Sequence, residues 1–352
     1  MKIFLNFLIF NILFFGFTTC STAQKGVEIV ADETQRKIDV LYDGKLFTSY
    51  IYPAELEKPV LYPIYTAKGT VITRGFPLNP RRNERVDHPH QVGLWFNHGD
   101  INHIDFWNNS YAIPASRKPE YGSVRHQKIV STQNGPTQGI LVVEANWVDY
   151  TGAILLNEET TFKFGGSGDW RTIERITKFT ARQDTVTFND NKEGLIGMRM
   201  DRVFEEPIDD VVNFVVDDAG TINRVRANNE GVNGLYRNKE GLETEKEVWG
   251  KPSQWVSLSA IKNNEKITVV IIDHKDNWGY PAHSMARGYG LFAANNLGAR
   301  VFASPDVAAE TPLFVKTLYS GESVTFRHLI VIKDNGFATD EEINKISADF
   351  NR

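Results

Sequence analysis

Cysteine is almost absent from this chain: Cys20 is the only one in 352 residues. A disulfide framework is excluded, and so is any metal cluster built on several thiolates. Long apolar runs are equally scarce. The one such stretch, Ile3 to Phe17, follows Lys2 and is too short for a comfortable membrane span. It leads into the small residues Thr18 to Ala23, which together form the pattern of an export signal. Cleavage after Ala23, in the context Ser21-Thr22-Ala23, would make residues 1–23 a signal peptide and leave a mature chain without cysteine or an integral membrane segment. That chain would be periplasmic or secreted, with a lipoprotein anchored through Cys20 as the alternative. Blocks of one charge are missing too. The 39 lysines and arginines are mixed among 44 acidic residues, which leaves no basic footprint for nucleic acid. An anionic ligand would need local cations.

What is present is a core: 41% of the residues are hydrophobic and 12% aromatic. Period-two patterns recur at Val27-Ile29, Ile38-Val40-Tyr42, Ile140 to Trp147, Thr160-Phe162-Phe164, Val186-Phe188, Val256 to Ile261, Ile267 to Ile272 and Val324 to Ile332. Asp43-Gly44, Asn134-Gly135, Gly165 to Gly168 and Ser320-Gly321 punctuate them at hairpin-like intervals, with no helices between strands. The expected fold is all-β, an antiparallel sandwich, with residues 24–352 as a single domain. A short C-terminal helix is signalled by Thr339-Asp340-Glu341-Glu342, a capping-box sequence, followed by Ile343, Ile346 and Phe350. It is expected on the sandwich edge. Asn228 to Lys246 has the composition of a long surface excursion, and Phe106 to Tyr121 that of a loop over one face.

Four of the eight histidines and two of the seven tryptophans fall between Arg81 and Trp107. Histidine changes protonation near neutral pH and tryptophan offers a flat apolar face, a pairing suited to a polar ring-shaped ligand and a moving proton. His88 and His90 flank Pro89, so an extended chain would point both imidazoles to one side with Cα atoms about 6.6 Å apart. A divalent metal would also suit that pair, with Glu193, His274, His283 or His328 as further ligands. The cofactor is left open. His98 shares the parity of His90, but eight residues of straight strand would separate them by about 26 Å. Both join one site only if the chain bends, as Gly93 and Gly99 permit.

Asp100 to Trp107 has the pattern of a turn entering a new strand, in which Asp105 either orients an imidazole or caps the turn. Trp95 and Trp107 are candidate stacking platforms or core. Glu193, Arg199 and Asp201 occupy odd positions of the strand expected from Lys192 to Asp201. The segment Asp273 to Gly290 collects His274, Trp278, His283, Arg287 and Tyr289; Arg287 is the choice for clamping a carboxylate, because its planar fork makes two parallel bonds.

Three blocks carry a resemblance: Asp87 to Trp107 (DHPHQVGLWFNHGDINHIDFW), Lys192 to Met200 (KEGLIGMRM) and His283 to Gly298 (HSMARGYGLFAANNLG). They resemble a family of exported bacterial proteins often labelled "methane oxygenase PmoA", over about Pro53 to Lys333. The chain has nothing like a membrane-bound copper oxygenase. The resemblance implies a sandwich of the broad type seen in galactose mutarotases and several polysaccharide lyases. It also implies a place in polysaccharide degradation, since some marine members look like dehydratases acting on the non-reducing-end uronic acid of ulvan oligosaccharides. Gln91 stands where members often carry a second histidine, which weakens a three-imidazole metal site.

The function expected is therefore a dehydratase or lyase that removes water across C4 and C5 of a terminal uronate in an anionic oligosaccharide. The chemistry needs a base for the C5 proton, a cation for the carboxylate and an acid for the leaving hydroxyl. His88 or His90 is assigned as base, Arg287 with Arg199 in reserve as carboxylate partner, and Tyr289 or His283 as acid. Glu193, Trp95, His98, Asp105 and Trp107 are expected to contact the sugar. The alternatives are a non-catalytic glycan-binding protein, a sugar epimerase or mutarotase, and a glycoside hydrolase using Glu193 with Asp201 or Asp105.

Overall fold

Strand β7 (Gln138–Val148) buries Gly139, Leu141, Val143, Ala145 and Trp147 while the residues between them stay partly exposed. Repeating that alternation gives two eight-stranded sheets. In the computed structural model, which describes residues 26–352, every strand pairing is antiparallel. The export signal expected over residues 1–23, and Cys20, lie outside the described residues.

The first sheet runs β1 (Val27–Asp32), β2 (Lys37–Tyr42), β3 (Lys45–Ile51), β4 (Val60–Ile64), β5 (Leu94–His98), β11 (Gly194–Arg199), β18 (Leu291–Asn295) and β17 (His283–Arg287). The second runs β14 (Leu235–Asn238), β15 (Trp255–Lys262), β16 (Glu265–Asp273), β20 (Ser323–Lys333), β9 (Trp170–Ala181), β8 (Ile154–Ser167), β7 and β6 (Ser123–Gln133). Two ribbons, β10 (Thr185–Phe188) with β19 (Lys316–Tyr319) and β12 (Val211–Val215) with β13 (Ile222–Arg226), complete the pairing.

The sheets face each other across aromatic contacts such as Phe47 with Phe164 and Phe96 with Phe179 and Phe326. One ion pair is sealed between them. Arg175 donates to Glu158 at 2.6 Å and lies over the rings of Phe96 and Phe162, while Trp147 Nε1 donates to the same carboxylate at 2.7 Å. The all-β antiparallel sandwich with a short C-terminal helix is thus the observed architecture.

Three local expectations are corrected. Helix α2 (Asp340–Phe350) has the capping box at Thr339 and Glu342, but it covers the outer face of the second sheet, with Ile343 and Phe350 against Trp255, Val270, Ile272 and Val331. Asn228 to Lys246 is not all excursion: it supplies edge strand β14 and the start of α1 (Thr244–Val248). Asp100 to Trp107 does not enter a strand. Ile101 and Ile104 close a tight turn, and the chain then runs through a loop and a 3-10 helix (Ala115–Glu120) to Tyr121.

Burial pulls the His98 imidazole down to about 4 and that of His328 down to about 3. Folded, both stay neutral where the unfolded chain would take up protons, so their contribution is complete above about pH 6.5 and is lost as pH falls towards those values. Asp273, raised by burial to about 6, works the other way below that pH. Burial lowers His90 and His126 as well, so with Asp273 opposing, stability at pH 5 is expected to be lower than at pH 7. Equal melting temperatures at the two pH values would contradict it.

Candidate functional site

The site is assembled around Arg74, a buried guanidinium in the segment between β4 and β5. It donates to the carbonyls of Asp87, His88 and Gln91 at 3.0–3.1 Å and to Asp87 Oδ1 at 2.6 Å. One cation thus pins a whole turn. His88 has φ 42°, and Gln91 N donates to the His88 carbonyl at 2.9 Å, so residues 88–91 are a tight turn and not the extended segment expected. The imidazoles still converge, edge to face with centroids 5.7 Å apart. Gly93, with φ 56° and Leu61 and Tyr62 too close for a Cβ, then swings the chain into β5.

Asp87 also faces Arg199 Nη2 at 2.7 Å and His88 Nδ1 at 3.3 Å. Burial pushes its carboxyl up, but Arg199, the hydrogen bond to His88 and Arg74 outweigh that and hold it well below the usual carboxylate range. An ionised Asp87 at 3.3 Å from His88 Nδ1 favours a proton on that nitrogen and leaves Nε2 free of it, the tautomer a general base requires. His88 is exposed, whereas His90 is buried; burial, with the Lys58 charge second, drives its imidazole well below the ordinary value.

The partner surface is the β17–β18 hairpin, where Gly290 N closes on the Arg287 carbonyl at 2.8 Å. Its tip carries Arg287 and Tyr289. The Tyr289 ring stacks on His88 at 4.9 Å with planes 9° apart, and the Arg199 guanidinium lies 4.7 Å from the ring centroid. Burial raises the Tyr289 hydroxyl, against the opposing pull of Arg199 and a hydrogen bond with Gln91, so the phenol keeps its proton at neutral pH. Arg287 rests on the Trp249 ring at 4.6 Å and donates once to Glu245 at 3.3 Å. A guanidinium has five N–H donors, so most of this fork is open to an anion.

Glu193 belongs to the same face. Burial raises its carboxyl, and the charges of Lys192, Arg287 and His88 pull against that. It is a half-buried carboxylate within electrostatic reach of both His88 and Arg287.

Other expected contacts are not brought to this surface. Trp95 and Trp107 are fully buried and pack on each other at 5.1 Å, so neither offers a ring to a sugar. They form the layer beneath the site. Gly197 is required there, because a Cβ would come within 2.7 Å of Trp95 and 3.0 Å of Trp107. His98 points with Phe96 to the opposite face of β5, into the space between the sheets, and bonds the Asn189 carbonyl at 2.7 Å. The bend at Gly93 exists, but strand parity takes His98 away from the site. Asp105 caps its turn, accepting from Trp107 N, Asn108 N and the Asn108 amide.

His283 shares the outer face with Arg287 but stands four residues earlier in β17, about 13 Å along the strand. It stacks on Phe302 at 4.8 Å and does not join the His88 cluster. Arg199 is fully buried on Asp87 and Gln91, so it is a support and not a reserve clamp. Asp201 pairs with Arg81 and Lys262, which with the capping role of Asp105 removes both partners of a two-carboxylate hydrolase.

Arg74, Lys58, Glu245 and Trp249 had no local sequence signal. Lys58 is buried, donates to the Trp107 carbonyl at 2.7 Å, and is pulled by burial down to about 7. Among the described residues no group of three or more His, Cys, Asp or Glu side chains is placed to hold a metal. His328 lies between the sheets and His274 against Phe350, both away from the His88 turn.

The chain matches a family described as "Family of unknown function (DUF6807)" over residues 37–348. A search of curated proteins finds no match. Among solved structures, the galactosidase domain of the alpha-galactosidase-sucrose kinase AgaSK aligns with a TM-score of 0.37 and 10% identity, covering 87% of this chain and 42% of that one. Heparan sulfate lyase HepC from Pedobacter heparinus gives 0.34 and 9%, covering 86% and 34%. A GalM/aldose epimerase homologue from C. elegans gives 0.32 and 12%, covering 90% and 100%. This chain therefore spans less than half the length of the first two. Likenesses so distant carry no argument about chemistry, and the sandwich rests on the strand pairings themselves.

Proposed function

The chain belongs to DUF6807, a family of unknown function, and from that premise we propose that it is an exported, carbohydrate-active enzyme, and more narrowly a dehydratase of uronate-terminated oligosaccharides. One observation carries the reading: His88 stands beside Asp87 with Tyr289 stacked on its ring, and the hairpin tip that supplies Tyr289 also supplies Arg287, with Glu193 within electrostatic reach of both His88 and Arg287.

His88, Tyr289 and Arg287 are the three groups an elimination needs. His88 Nε2 takes the C5 proton, the C5–H electron pair becomes the C4=C5 double bond, and the C4–O bond breaks. Tyr289 gives its proton to the departing hydroxyl, which leaves as water, and proton return from His88 through solvent restores both groups. Arg287 pairs with the carboxylate and spreads the charge that develops at C5. The likeness of the three sequence blocks to the PmoA-like proteins supports the same assignment, and the pattern at residues 1–23 supports a periplasmic or secreted location.

Incubating the protein with uronate-terminated oligosaccharides tests the reading by mass and by absorbance of the new C=C–carboxylate. Loss of one water with rising absorbance is the expected result. Gain of water would mean hydrolysis, an isomer of unchanged mass would mean epimerisation, and binding without turnover would mean a glycan-binding protein; each would replace this proposal.

A further inference from the structure

A concave surface lies away from the His88 turn, where the end of β3 and the following loop meet edge strand β6. It encloses about 460 Å³, within the size range of about 300–1,000 Å³ typical of small-molecule sites. Its wall is Tyr52 laid against His126, ring centroids 3.9 Å apart and planes tilted by 30°. Tyr50 Oη holds His126 Nδ1 at 3.2 Å and so fixes the pair. Around it stand Arg36, Arg125 and Lys128, with Glu33 the one carboxylate in the lining. Arg125 is tied to Glu57 and Lys128 to Glu144, while Arg36 is exposed at the end of the Glu33–Gln35 turn. Of the three cations only Arg36 has no ion pair among the described residues, and the exposed Lys128–Glu144 pair leaves Nζ protons that an incoming anion can take up, beside an apolar ring platform.

Leu56 and Lys58 also line a crevice that reaches Pro89 and His90, but its accessible volume of about 10 Å³ admits a water and no sugar ring, so the groove stands as a site of its own.

We propose that this groove is a second saccharide subsite, which stacks one ring of an anionic oligosaccharide on Tyr52 and His126 and holds its sulfate or carboxylate with Arg36 and Lys128. The choice of an oligosaccharide rests on the functional reading above; the groove's own chemistry does not. Sulfate and carboxylate present the same need, oxygen acceptors for N–H donors, and the choice between them is made by the probe.

The test is calorimetric binding to the His88→Ala protein, in which turnover is slowed about 10²–10⁴-fold and binding dominates the signal. The probes are a sulfated uronate tetrasaccharide, its unsulfated form and a neutral tetrasaccharide. The combined change Arg36→Asn and Lys128→Gln is expected to weaken at least one anionic probe about tenfold or more, and to leave melting temperature unchanged. Asn tolerates the left-handed backbone at Arg36, φ 51°, and both side chains are exposed. Tyr52→Ala should weaken the same probe, and added salt should reduce the difference between wild type and the double variant. Unchanged affinity in the double variant, or a neutral probe bound as tightly as the anionic ones, overturns the subsite. If the double variant loses binding while wild type forms no unsaturated product, the dehydratase reading fails and the groove stands.

Discussion

Tyr289→Phe is expected to lower formation of the unsaturated uronate by about 10²–10⁴-fold, the usual worth of a positioned acid or base. The substitution deletes one hydroxyl and keeps the ring, so the stack on His88 at 4.9 Å and the Arg199 contact at 4.7 Å remain. Substrate binding depends on Arg287 and the ring face, and KM should therefore move little while kcat collapses. His88→Ala should produce a loss of the same order by removing the base. A structural role for Tyr289 would show the reverse pattern, a lower melting temperature with kcat largely kept. Steady-state kinetics by absorbance separates the two. Near wild-type kcat in Tyr289→Phe would remove Tyr289 from the chemistry, and near wild-type kcat in His88→Ala would remove the site.

The strands were legible because alternation is a local signal: β7, β15, β16 and β20 each carry it unaided. The capping box was legible for the same reason. What was hidden depended on contacts distant in sequence. The left-handed turn at His88 follows from the Arg74 guanidinium bonding the carbonyls of Asp87, His88 and Gln91, and nothing around Arg74 in the sequence announces it. Trp95 and Trp107 satisfy the composition of a sugar platform and of a core equally well; only the packing of Val60, Val92, Met285, Leu291 and Ala293 around them, from distant segments, decides, and it buries them. His98 was separated from His90 by a question of bend. The bend exists, and parity along β5 gave the answer. Arg287 and Tyr289 were legible as a pair because a glycine-flanked turn rarely carries both, whereas the groove at Tyr52 joins two sheets and has no footprint in either segment alone.

Asp87→Ala is expected to destabilise the protein by about 3–5 kcal/mol, because it leaves Arg74 and Arg199, both buried, facing each other without their shared carboxylate. For a chain of this size that corresponds to a fall in melting temperature of roughly 10 °C. The pH dependence follows in sign. Arg199, His88 and Arg74 depress the Asp87 carboxyl despite its burial, so its contribution is complete above the unfolded carboxylate value of about 3.9 and is lost as pH falls below it. The alanine variant should lack that last acid-dependent loss, and its stability difference from wild type should shrink below about pH 4. Asp87→Asn keeps the shape and an acceptor oxygen but removes the charge, so an intermediate loss of stability is expected. Activity should fall in both variants, since neither holds His88 Nδ1–H through a carboxylate. Denaturant unfolding at neutral and acid pH reads the stability changes, and absorbance of the unsaturated product reads the activity. An alanine variant that melts within a degree or two of wild type would mean that solvent already neutralises the two guanidiniums, and the Arg74 frame would then not be what holds the His88 turn.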